Sequence, residues 1–515
     1  MIDLRLKINY NNTIMPKTNV LKKILFVGDE RICRQVAYVL NIKNYEFVET
    51  LTVDNDSEFG DYQIFVCQFK NKSINLVDKK LKKKKNIQYL GDICRLIDEE
   101  YYRNQQLNKE NLCRCCMPWF KYLKLKLRNL LKFFYYHLKG CKTLHNVKRL
   151  RYHKITNNNK KYLRCLKPSK LFLYVLNAPV NENVKCSLLE NHMLINNEGD
   201  VLGCCGSSLY FGNLLKDGNL DYIYNSIYAR IIKLSSLNNS YCLCNLSEGC
   251  SCITLTLDKV NSNYDTPECP EIIINSIDNT CNLCCKSCRN KPYILDKKAH
   301  EKLNIIANKL NDSGYLNNTS TLIVAGHGEV LYSPYYRQLL ESGLQRESIR
   351  ILSNGTLFNE TNWNWLKDKY KIIDVEISVD AATEETYKKL RGGNFTKLMD
   401  NLRMLGNLRH EGKIRKLIFN FVIQRDNFRE MPAFVRLAKK LNVDSINFQH
   451  MNNFGNLTKK DFLQKRLIIN NEYFVRELYE VLQDQIFQDP IVDLRIIQPY
   501  LDASKKFYKK NLLKE

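Results

Sequence analysis

From Glu271 onward the chain alternates short β-branched runs with helical patterns, and this alternation limits the fold more than any other feature. Strand patterns fall at 271–277, 319–326, 348–355, 372–381, 416–424 and 445–451, each separated from the next by a stretch of helical periodicity. Strands spaced this way cannot pair as tight hairpins. Parallel pairing with crossover helices buries both kinds of element. The pattern predicts an α/β fold, a parallel (β/α)6 barrel or partial barrel, with a helix near 473–486 and a strand near 492–497 closing its end. In such a fold the carboxyl ends of the strands share one site. Here those ends carry Gly326-His-Gly-Glu329, Ser353-Asn-Gly355 and Ser378-Val-Asp380.

The first of these strands runs into Cys281-Asn-Leu-Cys284-Cys285-Lys-Ser-Cys288. Cys281, Cys285 and Cys288 stand at the spacing C-x3-C-x2-C. Three thiolates on so short a loop reach three corners of an iron–sulfur cube, whereas ordinary ferredoxin spacing supplies four. The fourth iron is then open to another ligand. A zinc knuckle is the competing reading.

The chain has 20 cysteines, and the last is Cys288. Thiols are therefore concentrated at particular sites. A second group lies at 186–252, around a predicted hairpin turning at Glu198-Gly199-Asp200 and a helix near 222–230. Its members are too far apart for a simple finger and suit a second cluster, with zinc as the alternative. Cys113, Cys115 and Cys116 have poor spacing for a closed site and receive no role. The first residues lack a secretion signal, and no stretch approaches the roughly 20 apolar residues of a membrane span. Thiols used for metal in a reducing cytoplasm are the expectation.

The N-terminal part reads as a small Rossmann-like α/β unit, with a strand at 24–28, a helix at 31–40, and further strands near 46–48 and 63–66. Only one glycine of G-x-G-x-x-G is present, and Asp29 and Glu30 follow it, so a structural or docking role is favoured over dinucleotide binding. Net charge is +25. Residues 111–181 contain 17 Lys or Arg and no acid. Within them Leu123, Leu127, Leu130, Phe134 and Leu138 recur at helical spacing, with Lys124, Arg128, Lys132 and Lys139 on another face. Such a segment suits an anionic membrane surface or polyanion, or packs between domains.

Cys281-x3-Cys285-x2-Cys288 after a first strand resembles the signature of the radical S-adenosylmethionine (SAM) superfamily. The resemblance implies a [4Fe–4S] cluster whose free iron chelates SAM and whose electron cleaves it to a 5′-deoxyadenosyl radical. Gly326-His-Gly-Glu329 resembles the family's Gly-Gly-Glu motif, with His327 as the departure; Glu329 would accept from the methionine amine. Ser378 and Asp380 look like ribose-binding positions, Arg391 is similar to the arginine that pairs with the methionine carboxylate, and Asn354 resembles a polar position lining the cofactor site. Residues 186–252 look like a SPASM domain, which implies one auxiliary [4Fe–4S] cluster on Cys186, Cys205, Cys244 and Cys250. Cys204, Cys242 and Cys252 are close neighbours of those ligands. Here the module precedes the barrel, where the family usually places it after.

The expected layout is a Rossmann-like domain at 1–105, a basic linker at 106–170, the SPASM-like domain at 171–265, the radical SAM partial barrel at 266–500 and a basic tail at 501–515. The resemblance implies hydrogen abstraction from a peptide or protein, with a low-potential donor of flavodoxin or ferredoxin type. A nucleotide sugar or cell-surface precursor is the alternative substrate, and nucleic acid is disfavoured. The non-enzyme reading is a cluster-bearing scaffold that docks to a membrane or polyanion. Cytoplasmic placement, peripheral to the membrane through the basic segment, is the expected location.

Overall fold

The computed structural model describes residues 23–28, 30–42, 46–48, 62–67, 87–89, 93–98, 168–181, 186, 188–204, 209–244, 267–289, 293, 295–451, 457–467, 472–493, 502 and 505. The amphipathic pattern at 119–139 lies outside the described residues. The chain forms two compact units, one from 1–190, 207–245 and 258–266, the other from 191–206, 246–257 and 267–515.

The first unit holds a parallel sheet of order β2-β1-β3-β4, from β1 Lys23–Gly28, β2 Glu46–Val48, β3 Tyr62–Cys67 and β4 Ile87–Tyr89. Helix α1, Glu30–Val39, follows β1 and buries Cys33, Val36, Ala37 and Val39. The strand, glycine and helix expected over 24–40 are present. Further along are α2, Pro168–Leu176, α3, Leu220–Asn225, and α4, Ile227–Leu237. Asn219 and Ser226 cap α3 and α4 by accepting from Tyr222 N and Ala229 N, as short polar residues do at helix starts.

Every residue of α4 is buried, including Arg230 and Lys233. Such a helix is stable only if its polar groups find partners. Arg230 Nε donates to Val39 O at 2.9 Å, and Asn238 Nδ2 donates to Val175 O at 3.0 Å. Lys233 lies 3.2 Å from the centre of the Tyr224 ring. Burial, with Arg230 close by, pushes its pKa well down. A helix of the cysteine-rich region is thus part of the core beside α1 and α2.

The second unit is built on a mostly parallel sheet of order β13-β12-β11-β10-β9-β8-β5-β6. Its strands are β5 His192–Asn196, β6 Asp200–Leu202, β8 Ile272–Ser276, β9 Thr321–Val324, β10 Ser348–Ser353, β11 Ile372–Ser378, β12 Lys416–Ile423 and β13 Ser445–His450; β7, Tyr210–Asn213, belongs to the first unit. All six strands expected after Glu271 form, in chain order and parallel. The helix expected near 473–486 appears at Glu472–Val481; of the strand expected near 492–497, Val492 forms a parallel bridge with Ile446, and residues 494–497 lie outside the described residues.

One pairing had no local signal in the sequence. Strand β5 lies parallel to β8, in register His192 with Ile272 through Asn196 with Ser276. The hairpin β5–β6 turns where expected, with Gly199 at φ +75° and Asn196 Oδ1 accepting from Glu198 N and Asp200 N. It extends the core sheet rather than standing apart from it.

Helices cover one face of this sheet. Helix α5, Met431–Lys440, sets Phe434 against Phe419, Phe421 and Phe448, at 6.2, 4.9 and 6.4 Å between ring centres. The alternate residues face the other way, where Asn420 Nδ2 donates to Glu376 Oε1 at 2.7 Å. Among the described residues no helix is long and apolar enough to cross a membrane.

Candidate functional site

Strand β8 delivers the cysteine loop, and its last residues fix the loop's root. Asp278 is buried; its Oδ1 accepts from Thr280 N at 2.9 Å and its Oδ2 from Ser333 Oγ at 2.5 Å. The Gly326–Glu329 turn docks directly on this root, Glu329 N donating to Thr280 O at 2.8 Å. A Cβ on Gly328 would stand 2.4 Å from Asp278 O, closer than any side chain tolerates. That glycine is required by backbone approach, whereas His327 at the motif's variable position fits, its Nδ1 3.1 Å from Ser276 Oγ.

The loop itself is a tight turn. Cys288 N and Arg289 N both donate to Cys285 O, and Lys286 N donates to Leu390 O at 2.8 Å. Cys285 is buried, and burial pushes its thiol up to about 11. Cys281 is raised for the same reason, burial. Two donors address the Cys281 sulfur, Leu283 N at 3.4 Å and Asn354 Nδ2 at 3.7 Å. Arg289 Nη2 addresses Cys288 Sγ at 3.5 Å. Such hydrogen bonds stabilise thiolates and sulfur ligands.

The strand ends bring the other expected residues to the same loop. Glu329, fully buried, accepts from Ser353 Oγ at 2.8 Å and from Asn354 N at 2.7 Å. Burial raises its pKa, opposed by these donors. Asn354 also donates to Asn282 Oδ1 at 2.8 Å, so the Ser353-Asn-Gly355 turn is tied to the cysteine loop through that side chain. Asp380, at φ +64°, accepts from Val422 N at 2.8 Å and from Arg391 Nη1 at 2.6 Å. Two residues expected to hold different parts of SAM therefore hold each other. Ser378 stands part-exposed at the end of β11.

Sequence reasoning passed over several residues here. Tyr387 has a buried hydroxyl with no hydrogen-bond partner among the described residues, close enough to Arg391, Cys285 and Asp380 for each to act on its pKa, which burial pushes up to about 12. Its helical position beside Arg391 was the available hint. Arg289 and the pair Glu376–Asn420 carried none.

Of the second cysteine group, Cys205 and Cys250 lie outside the described residues. Cys186 and Cys244 flank Tyr241: Cys186 N donates to Tyr241 Oη at 3.0 Å, and both thiols add to the effect of burial in raising that phenol's pKa.

No known protein-family profile matches the chain. Over 180 residues it is 24% identical to the antilisterial bacteriocin subtilosin biosynthesis protein AlbA of Bacillus subtilis (strain 168), a stretch that covers 34% of this chain and 38% of that relative. The chain thus spans well under half the length of this curated relative.

Solved structures similar to this chain include Streptococcus suis SuiB bound to S-adenosylmethionine, at 14% identity, 60% of this chain, 70% of that chain and a TM-score of 0.31. SuiB bound to the precursor peptide SuiA gives 13%, 61%, 72% and 0.31. The structure of anSMEcpe with bound AdoMet and the Kp18Cys peptide gives 16%, 43%, 62% and 0.28.

The residues present suit the family's cofactors. Arg391 Nε is buried with no partner among the described residues, a donor beside Cys285 that an anionic group would satisfy. Among the described residues no three His, Cys, Asp or Glu side chains converge as the ligands of a single metal ion do. Thiolates of an iron–sulfur cube bind different irons, so a wider spacing is what a cube requires.

Proposed function

We propose that this protein is a radical SAM enzyme that abstracts a hydrogen atom from a peptide or protein substrate. The observation that carries the reading is the meeting of Cys281, Cys285 and Cys288 with Glu329 and Arg391 at one end of a parallel sheet. Cys281, Cys285 and Cys288 would hold a [4Fe–4S] cluster, and SAM would sit against Glu329, Asn354, Ser378, Asp380 and Arg391. When bound, the cluster and SAM would supply the radical chemistry that abstracts hydrogen.

The chain's own residues orient and shield. Glu329, fixed by Ser353 and Asn354, offers a carboxylate to an ammonium group, and Arg391 offers its free Nε to a carboxylate. Arg391 would exchange part of its bond to Asp380 for that ligand. Burial of these groups excludes water and so strengthens their electrostatic hold on a charged ligand. The face of the sheet bearing Glu376 and Asn420 would line the interior of a partial (β/α)6 barrel. A peptide substrate is supported by the bacteriocin-biosynthesis relative. Cys186, Cys205, Cys244 and Cys250 would hold one auxiliary cluster of SPASM type, and a small low-potential protein would supply electrons.

Anaerobic reconstitution followed by iron counting and assay of 5′-deoxyadenosine tests this reading. Cys285→Ala should abolish SAM cleavage while retaining the auxiliary cluster's spectrum. Unchanged 5′-deoxyadenosine release from that variant overturns the proposal.

A further inference from the structure

Arg289 follows the third cysteine of the loop, and its guanidinium is committed in three directions. Nη1 donates to Asn279 O at 2.8 Å, while Nη2 donates to His327 O and lies 3.5 Å from Cys288 Sγ. It thereby joins both ends of the cysteine loop to the Gly326–Glu329 turn. Among the described residues no carboxylate pairs with it. The groups that act on its charge are the thiols of Cys288, Cys281 and Cys285, which favour its protonated form against burial. A guanidinium does not titrate in the physiological range, so this is a permanent cation at the cluster's protein edge.

We propose that Arg289 is a positioning residue that sets the reduction potential of the cluster on Cys281, Cys285 and Cys288, by placing a fixed positive charge and a hydrogen bond on Cys288 Sγ. The proposal rests on the cluster reading above. Reduction adds one negative charge to the cluster. A cation held in a part-buried site stabilises that charge more than water would, and raises the potential. A residue acting only as a staple between backbone carbonyls would leave the potential unchanged when another donor replaced it.

The test is an EPR-monitored redox titration of the full chain, reconstituted anaerobically, following the signal that changes when SAM is added. Wild type is compared with Arg289→Lys, Arg289→Gln and Arg289→Met. At the wild-type midpoint, the Gln and Met variants should show an oxidised-to-reduced ratio at least tenfold higher, about 59 mV for one electron. The Lys variant, which keeps the charge, should stay within about threefold of wild type. Gln and Met variants that titrate with wild type, at equal iron and with the SAM-sensitive signal intact, overturn the proposal and leave the cluster reading standing. A Lys variant that follows Met overturns the assignment to charge. Should Met fail to load iron, Gln against Lys decides. A wild-type protein with no SAM-sensitive cluster overturns both readings.

Discussion

Arg391 and Asp380 form a buried ion pair, 9% and 1% exposed, with Asp380 further fixed by Val422 N. Removing one partner strands the other charge away from water, which costs about 3–5 kcal/mol. Arg391→Met should lose stability of that order in urea denaturation of the SAM-free protein. The Asp380→Asn/Arg391→Met double variant should recover part of it, because asparagine tolerates φ +64° and carries no charge. Equal stability of wild type and Arg391→Met would show that the pair contributes nothing. His192 tests the opposite situation. It is buried, its Nδ1 has no partner, and burial lowers its pKa. A folded-state value below the unfolded one means that the unfolded chain binds the proton first. Stability is therefore full above about pH 6.5 and falls as pH drops below it. Between pH 7.5 and 5.5 this group accounts for at most about 1.4 kcal/mol, which His192→Met should remove from the pH dependence of unfolding. That Cys281, Glu329, Asp380 and Arg391 lie near one another was legible, because motifs that follow strand ends are local. The Asp380–Arg391 bond and the reach of Asn354 to Cys281 were not. They join residues whose relative placement only the folded sheet determines.

At the scale of elements, periodicity did most of the work. The strands expected after Glu271 formed because β-branched runs bounded by turn residues have few other uses. Packing between elements is less visible in sequence, as Gly406 illustrates. It lies within the helix Phe395–His410, where alanine would raise helix propensity by about 1 kcal/mol. A Cβ there would meet Leu441 O at 2.4 Å, a backbone atom that cannot rotate aside. The clash wins. Gly406→Ala should lower the melting temperature, and a neutral or stabilising result would mean that this contact is loose. Periodicity alone reads Gly406 as a flaw in a helix. It is the point where the helix comes close to the chain after α5.

Across the whole molecule, residues 191–206 group with the second compact unit and 207–245 with the first. Composition could not reveal this division, since both parts carry the same cysteines and turns. Two cubes imply about eight irons per chain. Cys244→Ala should halve that number and leave the SAM-sensitive signal intact; a full complement of iron would remove Cys244 from the ligand set. The pairing of β5 with β8 also has a consequence for synthesis. The ribosome releases β5 about 80 residues before its partner, and at roughly 5–20 residues per second the hairpin waits some 4–16 s for β8 to emerge. During that interval one flank of the hairpin is an unpaired edge, open to the wrong neighbour. The nascent chain has to keep a strand of its catalytic sheet in reserve before the first residue of the cysteine loop has been made.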